Sequence, residues 1–425
     1  MYRVMSLLAK YTSLCSIYLY VVYILLHPRY ANVIMASRQW CEGHSTPVLC
    51  VGASGGPEGL LASGSEEGEV TVWNQEGTVL ASLRLPSGDD VTSAVFSPAA
   101  PGLLYVSHGE TVSVLDPRSL KGAVEELQGA GEEEINSLAL NETGSALAVA
   151  DDSGVVRVLG LPGGQVNRTL RRHTNIVSSV AFRPLRPNNL VSAGLDMQVM
   201  LWSLQKTRPV WTLNLQEVAE EEERHQHKAG QLFNPPLAHC VSVATCGNVL
   251  ACAAEDGRVH LMRVGSGSKL DRQGAIKAHS QGASQAHFLS FLPHPYWLAT
   301  GGNDGMVALW DLSQNPVVTV EDKGKPQAAP VHRRRPNARA KAKLQAQAKP
   351  QQAKEETKKE REEVEEGSSV DQSPGTEEAL KSGPKLSFSH GDKVNWVCPT
   401  LLRGEPSLVV ADQSPNLSVY SLAGL

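Results

Sequence analysis

The sequence predicts an all-β protein assembled from seven copies of one strand–turn–strand pattern. The clearest copy runs from Gly301 to Asp311, where a turn of Gly, Asn and Asp leads into alternating apolar residues that end on Trp310. Glycine and asparagine accept the positive φ angles that tight hairpin turns require. The alternation places Val307 and Leu309 on one face of a strand. Each copy is therefore a β-hairpin with one face to bury.

The spacing of the copies predicts how they are arranged. The steps between their closing residues are 42, 44, 43, 60, 48 and 110 residues, taking these residues as Trp73, Leu115, Leu159, Trp202, Met262, Trp310 and Tyr420. Periods of about 40–45 residues are typical of four-stranded propeller blades. The sequence thus predicts a seven-bladed β-propeller with two insertions, of roughly 16 and 65 residues on that period.

This repeat resembles that of the WD-repeat family. Gly43-His44 matches the family's Gly-His pair, and Trp310-Asp311 matches its Trp-Asp pair. The resemblance covers about residues 35–425 apart from the second insertion. It implies a seven-bladed WD-repeat propeller that acts as a scaffold for protein partners and not as an enzyme.

Two sets of polar residues could be mistaken for a catalytic triad, but they recur in equivalent places of separate blades. They are His173, Ser192, Asp196 and Trp202 in one blade, and His279, Thr300, Asp304 and Trp310 in another. A catalytic constellation is needed only once, and no nucleophile elbow accompanies these residues. The resemblance implies that they form structural hydrogen-bond chains, since buried imidazole and indole groups need partners. We expect no catalytic residue.

Composition argues against other chemistry. The glycine-rich stretches at 52–59 and 265–267 lack the lysine and helix start of a phosphate-binding loop. The seven cysteines are scattered without CxxC spacing, so neither a zinc site nor a disulfide framework is predicted. A net charge of −5 does not favour nucleic acid as a partner. We therefore expect neither cofactor nor metal.

The chain ends and the insertions lie outside this regular pattern. Residues 1–34 form a non-propeller extension whose apolar run, about 11–13 residues, is short of a membrane span, so a membrane role depends on its being retained. The segment Ala36–Cys41 is expected to close the ring beside the strand that ends at Tyr420. Residues 35–313 are expected to hold blades one to six, with an acidic loop at 215–237 that is either a solvated loop or a contact for a basic partner.

A second insertion, 314–385, is predicted to be disordered because it has few aromatic or β-branched residues. Residues 386–425 then form the seventh blade. A basic cluster in the insertion is a nuclear localisation signal, a spacer or a nucleic-acid contact, and comprises Arg333, Arg334, Arg335, Lys341 and Lys343. The expected location is cytoplasmic, nuclear or both.

One blade end carries the main functional clue. The stretch Leu115-Asp116-Pro117-Arg118 resembles the adaptor-docking box of substrate receptors of cullin-4 RING ubiquitin ligases, with Leu115 in place of the usual Trp. The resemblance implies docking through Leu115, Asp116 and Arg118, and an unknown substrate protein bound elsewhere. Arg118 offers a planar donor fork for this contact. Two alternatives stay open: Arg118 simply pairs with Asp116 or a neighbouring blade, or the propeller reads histone tails or other peptides without ligase coupling.

Overall fold

The computed structural model describes residues 37–55, 59–99, 102–225, 234–265, 269–313 and 383–423. Within these ranges the chain forms seven antiparallel sheets of four strands each, arranged as a seven-bladed propeller. The predicted fold class is therefore confirmed. Residues 1–34, the localisation cluster and nearly all of the second insertion lie outside the described residues.

The first strand, β1 (Ser37–Trp40), belongs to the last sheet, and blades one to three follow it in chain order. Blade one contains β2 (Val48–Ala53), β3 (Leu61–Ser65), β4 (Glu69–Trp73) and β5 (Val79–Arg84). Blade two contains β6 (Val91–Phe96), β7 (Leu104–His108), β8 (Thr111–Leu115) and β9 (Glu125–Leu127). Blade three contains β10 (Ile135–Leu140), β11 (Ala146–Asp151), β12 (Val155–Gly160) and β13 (Gln165–Arg171).

The remaining four blades follow in chain order, together with the one α-helix of the described residues; a 3-10 turn, Glu66–Gly68, lies in blade one. Blade four contains β14 (Val177–Phe182), β15 (Asn189–Gly194), β16 (Gln198–Ser203) and β17 (Pro209–Asn214), and is followed by α1 (Leu215–His225). Blade five contains β18 (Ala238–Val243), β19 (Val249–Ala254), β20 (Arg258–Val264) and β21 (Leu270–Lys277). Blade six contains β22 (Ala283–Phe288), β23 (Trp297–Gly302), β24 (Met306–Asp311) and β25 (Leu386–Ser389). Blade seven contains β26 (Trp396–Leu402), β27 (Glu405–Ala411), β28 (Leu417–Ser421) and β1.

The ring closes as the sequence predicts. Strand β1 pairs antiparallel with β28, with Ser37 opposite Tyr420 and Trp40 opposite Leu417. Trp40 is buried against Trp73 of blade one, with ring centroids 5.8 Å apart. The N-terminal strand thus covers an edge of the last blade that would otherwise be unpaired.

Two boundaries differ from the prediction. Residues Leu386–Ser389 pair with β24, so they complete blade six, and the assignment of the whole range 386–425 to blade seven was wrong at its start. The second insertion therefore interrupts blade six between its third and fourth strands. Strand β25 is only four residues long and half-buried, so its sequence shows little alternation of apolar and polar residues.

The acidic segment after Asn214 begins as a helix, so the prediction of a loop was wrong for its first part. Asn214 Oδ1 accepts a hydrogen bond from the Gln216 N–H at 3.0 Å, and Asn214 Nδ2 donates to Glu217 at 3.2 Å. Asn214 thus caps the N-terminus of the helix, and a side-chain contact with Glu217 holds the capping amide in place. Leu215, Val218 and Ala219 are buried on one face of the helix, at helical spacing.

The core lies between adjacent blades. The second and third strands are almost completely buried, and alternate residues meet the sheets on either side. Between blades four and five, for example, Val191 and Leu201 pack in one cluster with Val241 and Leu250. Burying each such side chain contributes roughly 1.5–3 kcal/mol to folding stability. The ring is therefore stabilised at every seam, the contact between two adjacent blades.

The antiparallel order also gives the ring two distinct faces. We call upper the face that carries the turns between second and third strands and the links between blades. The lower face carries the connections from first to second and from third to fourth strands. On this definition the turn 151–154 belongs to the upper face, and Asp116 and Arg118 belong to the lower face.

Candidate functional sites on the propeller

The predicted docking box lies on the lower face of blade two. Leu115 ends β8 and is fully buried, which anchors the residues that follow it. Asp116 Oδ1 accepts hydrogen bonds from the backbone N–H and the Nε of Arg118, both at 3.0 Å, and Asp116 Oδ2 accepts from Arg118 Nη2 at 3.1 Å. The Arg118 side chain stays 59% exposed. The structure thus contains the Asp116–Arg118 pair, and it holds the guanidinium at the surface in a fixed orientation.

The ion pair has a clear electrostatic effect. Hydrogen bonds from Arg118 hold the pKa of the Asp116 carboxyl below its usual range. The carboxylate is therefore charged at neutral pH, and both members of the pair are available for polar contact. Exposed ion pairs of this kind contribute little to folding stability.

In blade four the structure brings the four predicted chain residues together. His173 Nδ1 donates to Asp196 Oδ1 at 2.9 Å, and Ser192 Oγ lies 2.8 Å from His173 Nε2. The Trp202 indole N–H donates to the same Ser192 oxygen at 2.8 Å. This network assigns the Nδ1–H tautomer to the histidine. The serine hydroxyl is fully buried and already bonded on both sides, so no substrate can reach it as a nucleophile.

Blade six repeats the arrangement with threonine. His279 lies 2.9 Å from Asp304 and 3.0 Å from Thr300, whose hydroxyl accepts from the Trp310 indole at 3.1 Å. Burial lowers the pKa of His279 although Asp304 opposes the shift. Burial raises the pKa of Asp304, but hydrogen bonds from the Ser280 N–H and His279 outweigh it and leave the pKa below its usual value.

Two further chains escaped the sequence analysis. In blade one, His44 Nε2 lies 2.6 Å from Ser63 Oγ, which also accepts from the Trp73 indole at 2.7 Å. Here Ser65, 2.9 Å from His44 Nδ1, and the neighbouring Glu69 replace the aspartate. Burial lowers the pKa of His44 to about 4, against the opposing charge of Glu69. The signal was present in the Gly43-His44 pair.

In blade seven the two ring nitrogens of the histidine exchange their partners. His390 Nε2 donates to Asp412 Oδ2 at 2.8 Å, and Nδ1 accepts from the Tyr420 hydroxyl at 2.7 Å. A phenol therefore takes the place of the indole and serine. Burial raises the pKa of Asp412, but bonds from His390 and Ser414 bring it down to about 2.

Blade five lacks the chain. Cys252 and Met262 occupy the places of Ser192 and Trp202, and Asp256 occupies the place of Asp196. The nearby His260 comes from β20 and is only 1% exposed, and its Nε2 lies 3.8 Å from Asp256. Neither ring nitrogen of His260 has a hydrogen-bond partner among the described residues. Burial raises the pKa of Cys252 well above its usual value, so its thiol is inert.

The first strands of all blades line a central channel of about 600 Å³. Serines on these strands join successive blades by accepting a backbone N–H of the next one. Ser93 accepts from Leu138 at 3.1 Å, Ser137 from Val180 at 3.2 Å and Ser179 from Val241 at 3.1 Å. This serine ladder binds blades two to five to one another.

In blade five Cys240 occupies the position of the ladder serine, so a thiol replaces the hydroxyl in the channel wall. Cys240 Sγ lies 3.7 Å from His287 Nε2, and His287 also lies 2.7 Å from Gln285 Oε1. The His287 ring is 5.8 Å from that of Trp396. Burial lowers the pKa of His287 to about 4, so this histidine is neutral in the folded protein at neutral pH.

Carboxylates gather on the upper face near blades two and three. Burial raises the pKa of Glu134, and the negative charges of Asp152, Asp90 and Asp89 raise it further. Mutual repulsion of this kind favours a cationic partner at this rim.

The described residues contain no group of three or more His, Cys, Asp or Glu placed to hold a metal ion. The same residues include no helix of sufficient length and apolar character to cross a membrane. The basic localisation cluster lies outside the described part of the chain.

Comparison with known proteins agrees with the geometry. The family described as WD domain, G-beta repeat matches residues 36–74, 164–203 and 271–311. Each segment covers the outer strand of one blade and the first three strands of the next, which are blades one, four and six. These three blades carry the complete His–Ser/Thr–Trp chains. The chain is therefore a seven-bladed β-propeller protein with WD40 repeats.

Among known proteins, the chain is similar to WD repeat-containing protein 53 homolog of Dictyostelium discoideum, with 23% identity over 289 residues, which cover 64% of this chain and 77% of that protein. It is also 26% identical to the WD40 repeat protein poxJ of Penicillium oxalicum, over 54% of this chain and 76% of the relative. Echinoderm microtubule-associated protein-like 2 of Rattus norvegicus is 26% identical over 64% of this chain and 38% of its own length. WD40 propellers typically act as non-catalytic scaffolds for protein partners.

Proposed function

We propose that this protein is a non-enzymatic interaction scaffold that docks on the adaptor of a cullin-4 RING ubiquitin ligase as a substrate receptor. The observation that carries the proposal is the Asp116–Arg118 pair. A buried Leu115 anchors it, hydrogen bonds between the two side chains fix its geometry, and the guanidinium remains exposed on the lower face.

Rigidity is what makes Arg118 suited to docking. The orientation of its side chain is set by two hydrogen bonds to Asp116, so little side-chain entropy is lost on binding. Arginine is among the residues that most often dominate interface energetics. Contact with the adaptor would leave the upper face and its channel mouth accessible to a substrate.

A pull-down of the purified full-length chain with purified adaptor tests the proposal. We expect Arg118→Ala to weaken binding at least tenfold, which corresponds to about 1.4 kcal/mol. Arg403→Ala is the matched control, because Arg403 is also on the lower face, is 58% exposed and pairs with Glu76 at 2.8 Å. Equal binding by wild type and Arg118→Ala, with both folded, would remove the basis of the docking proposal.

A second function is favoured by the carboxylates of the upper face. The cluster around Glu134 suits a lysine-rich peptide such as a histone tail, bound without ligase coupling. Fluorescence anisotropy with a labelled histone-tail peptide would then show weaker binding by Glu134→Gln/Asp152→Asn and unchanged binding by Arg118→Ala. Failure of the peptide to bind wild type would exclude this second function.

A further inference from the structure

A groove of about 550 Å³ opens on the lower face between blades three and four. It lies away from the docking box of blade two and from the central channel. Amide and hydroxyl side chains dominate its lining and include Asn141, Thr143, Ser145, Asn167, Asn188 and Gln205. Side-chain amides both donate and accept hydrogen bonds, so they can pair with the backbone of an extended peptide.

The edge of this groove is rich in positive charge. Arg168 lines it, and Arg186, Lys206 and Arg208 lie exposed in the neighbouring connections of blade four. Among the described residues none of the four forms an ion pair with a carboxylate. The hydrogen bonds of their guanidinium groups go to neutral acceptors: Arg168 donates to the Leu204 carbonyl at 2.8 Å and to the Asn167 carbonyl at 2.7 Å, and Arg186 donates to the Leu185 carbonyl at 3.0 Å.

Several other exposed cations of the propeller are paired with a carboxylate. Arg84 pairs with Glu67, Arg118 with Asp116, Arg403 with Glu76 and Lys269 with Asp271. The lower face of blade four therefore concentrates uncompensated positive charge in a chain whose net charge is −5.

An exposed leucine stands beside these cations. Leu185 is 62% exposed and has a φ angle of +61°, a conformation that L-residues with a large side chain rarely adopt. Its N–H is bonded to Glu142 of blade three at 3.2 Å. On the other side, buried Arg183 donates to the Gly247 carbonyl of blade five at 2.8 Å. Contacts from both neighbouring blades thus hold an apolar side chain in solvent at a cost in backbone strain.

We propose that this groove binds an extended acidic peptide segment of a partner protein, with an apolar residue seated on Leu185. The cations complement the carboxylates, the amides complement the peptide backbone, and Leu185 supplies the apolar contact. A single-stranded nucleic acid fits less well, because no aromatic side chain lines the groove to stack on bases. The inference is independent of the adaptor-docking proposal, which concerns blade two.

Fluorescence anisotropy on the full-length chain tests the inference, using a short fluorescein-labelled polyglutamate peptide with one central leucine. We expect Lys206→Glu/Arg208→Glu to weaken binding at least tenfold. The matched control, Lys121→Glu/Lys393→Glu, changes the net charge equally at exposed lysines of other blades and should bind within about twofold of wild type. Binding should also weaken as salt rises, because these charges are exposed.

Leu185→Gly provides a second variant, in which the backbone conformation at this position is compatible with the new residue. Glycine accepts the positive φ, so the melting temperature should not fall, while peptide binding should weaken severalfold. Equal losses in the groove variant and the lysine control would show non-specific charge attraction and overturn the inference. So would tighter binding of labelled oligothymidylate that is lost in the same groove variant, which would assign the groove to nucleic acid.

Discussion

Blades four and five are neighbours in the ring, yet their interiors are held together differently. Blade four contains a complete chain from His173 through Ser192 to Trp202, whereas blade five has Cys252 and Met262 in the serine and tryptophan places. Both blades nevertheless form the same four-stranded sheet. The comparison teaches that the polar chain is one way to stabilise a blade, and that a blade with Cys252 and Met262 at two of its positions also folds. A set of catalytic residues could not be exchanged in this way.

The largest expected effect is a loss of folding stability at acidic pH, because the buried histidines must then become protonated. The pKa of His44 in the folded chain is about 4, below its ordinary value of 6.5. A lowered histidine pKa gives stability that is complete above pH 6.5 and is lost as the pH falls toward 4. The lowered pKa of His44 alone corresponds to a loss on the order of 3 kcal/mol in the free energy of unfolding. Burial lowers the pKa of His287 in the same direction, to about 4.

Urea unfolding of the full chain at a series of pH values between 7 and 4 measures this effect. The unfolding midpoint should fall steadily below pH 6.5, and His44→Gln should reduce the slope. A midpoint that stays constant down to pH 4.5 would contradict neutral, buried histidines.

The next largest expected effect comes from substitutions at equivalent positions of blades four and five. Ser192→Ala should destabilise the protein by about 2–4 kcal/mol, because it leaves both the Nε2 atom of His173 and the Trp202 indole N–H without a partner. Cys252→Ala, at the equivalent place in blade five, removes no hydrogen bond to a side chain and should cost about 1 kcal/mol. Chemical unfolding of both variants checks the difference, and equal losses would mean that the chain adds nothing to blade four.

The smallest effect concerns the seams between blades. Ser179→Ala removes the acceptor for the Val241 N–H between blades four and five and should cost about 1 kcal/mol. Cys240→Ala, at the next seam, should cost about as much as Cys252→Ala, because it removes a buried thiol, but it removes no acceptor of a backbone N–H. Amide hydrogen exchange of Val241 should rise in Ser179→Ala alone, and unchanged exchange would show that the serine does not secure this seam.

Local patterns explain why the architecture was predictable. Turn glycines, strand alternation and the recurring tryptophans are encoded within each hairpin, so seven blades and the closing strand β1 could be inferred without coordinates. The chains of blades four and six were recognisable because their residues recur at fixed spacing. Asn214 was also readable as a helix N-cap, but the acidic composition of the segment obscured it.

What escaped prediction depends on contacts between distant parts of the chain. The placement of β25 requires knowing that Leu386 returns to Leu309 across the second insertion. The replacement of tryptophan by Tyr420 in blade seven reverses the roles of the histidine nitrogens, and no spacing rule signals it. The serine ladder and the charge imbalance of blade four appear only once the seams between blades are known.

Hydrogen–deuterium exchange of the full chain with and without purified adaptor tests the central claim most directly. The proposed docking predicts slower exchange in the lower-face connection 116–124 of blade two, and no such change in Arg118→Ala. Protection confined to upper-face turns such as 151–154, with 116–124 unaffected, would contradict docking through Arg118.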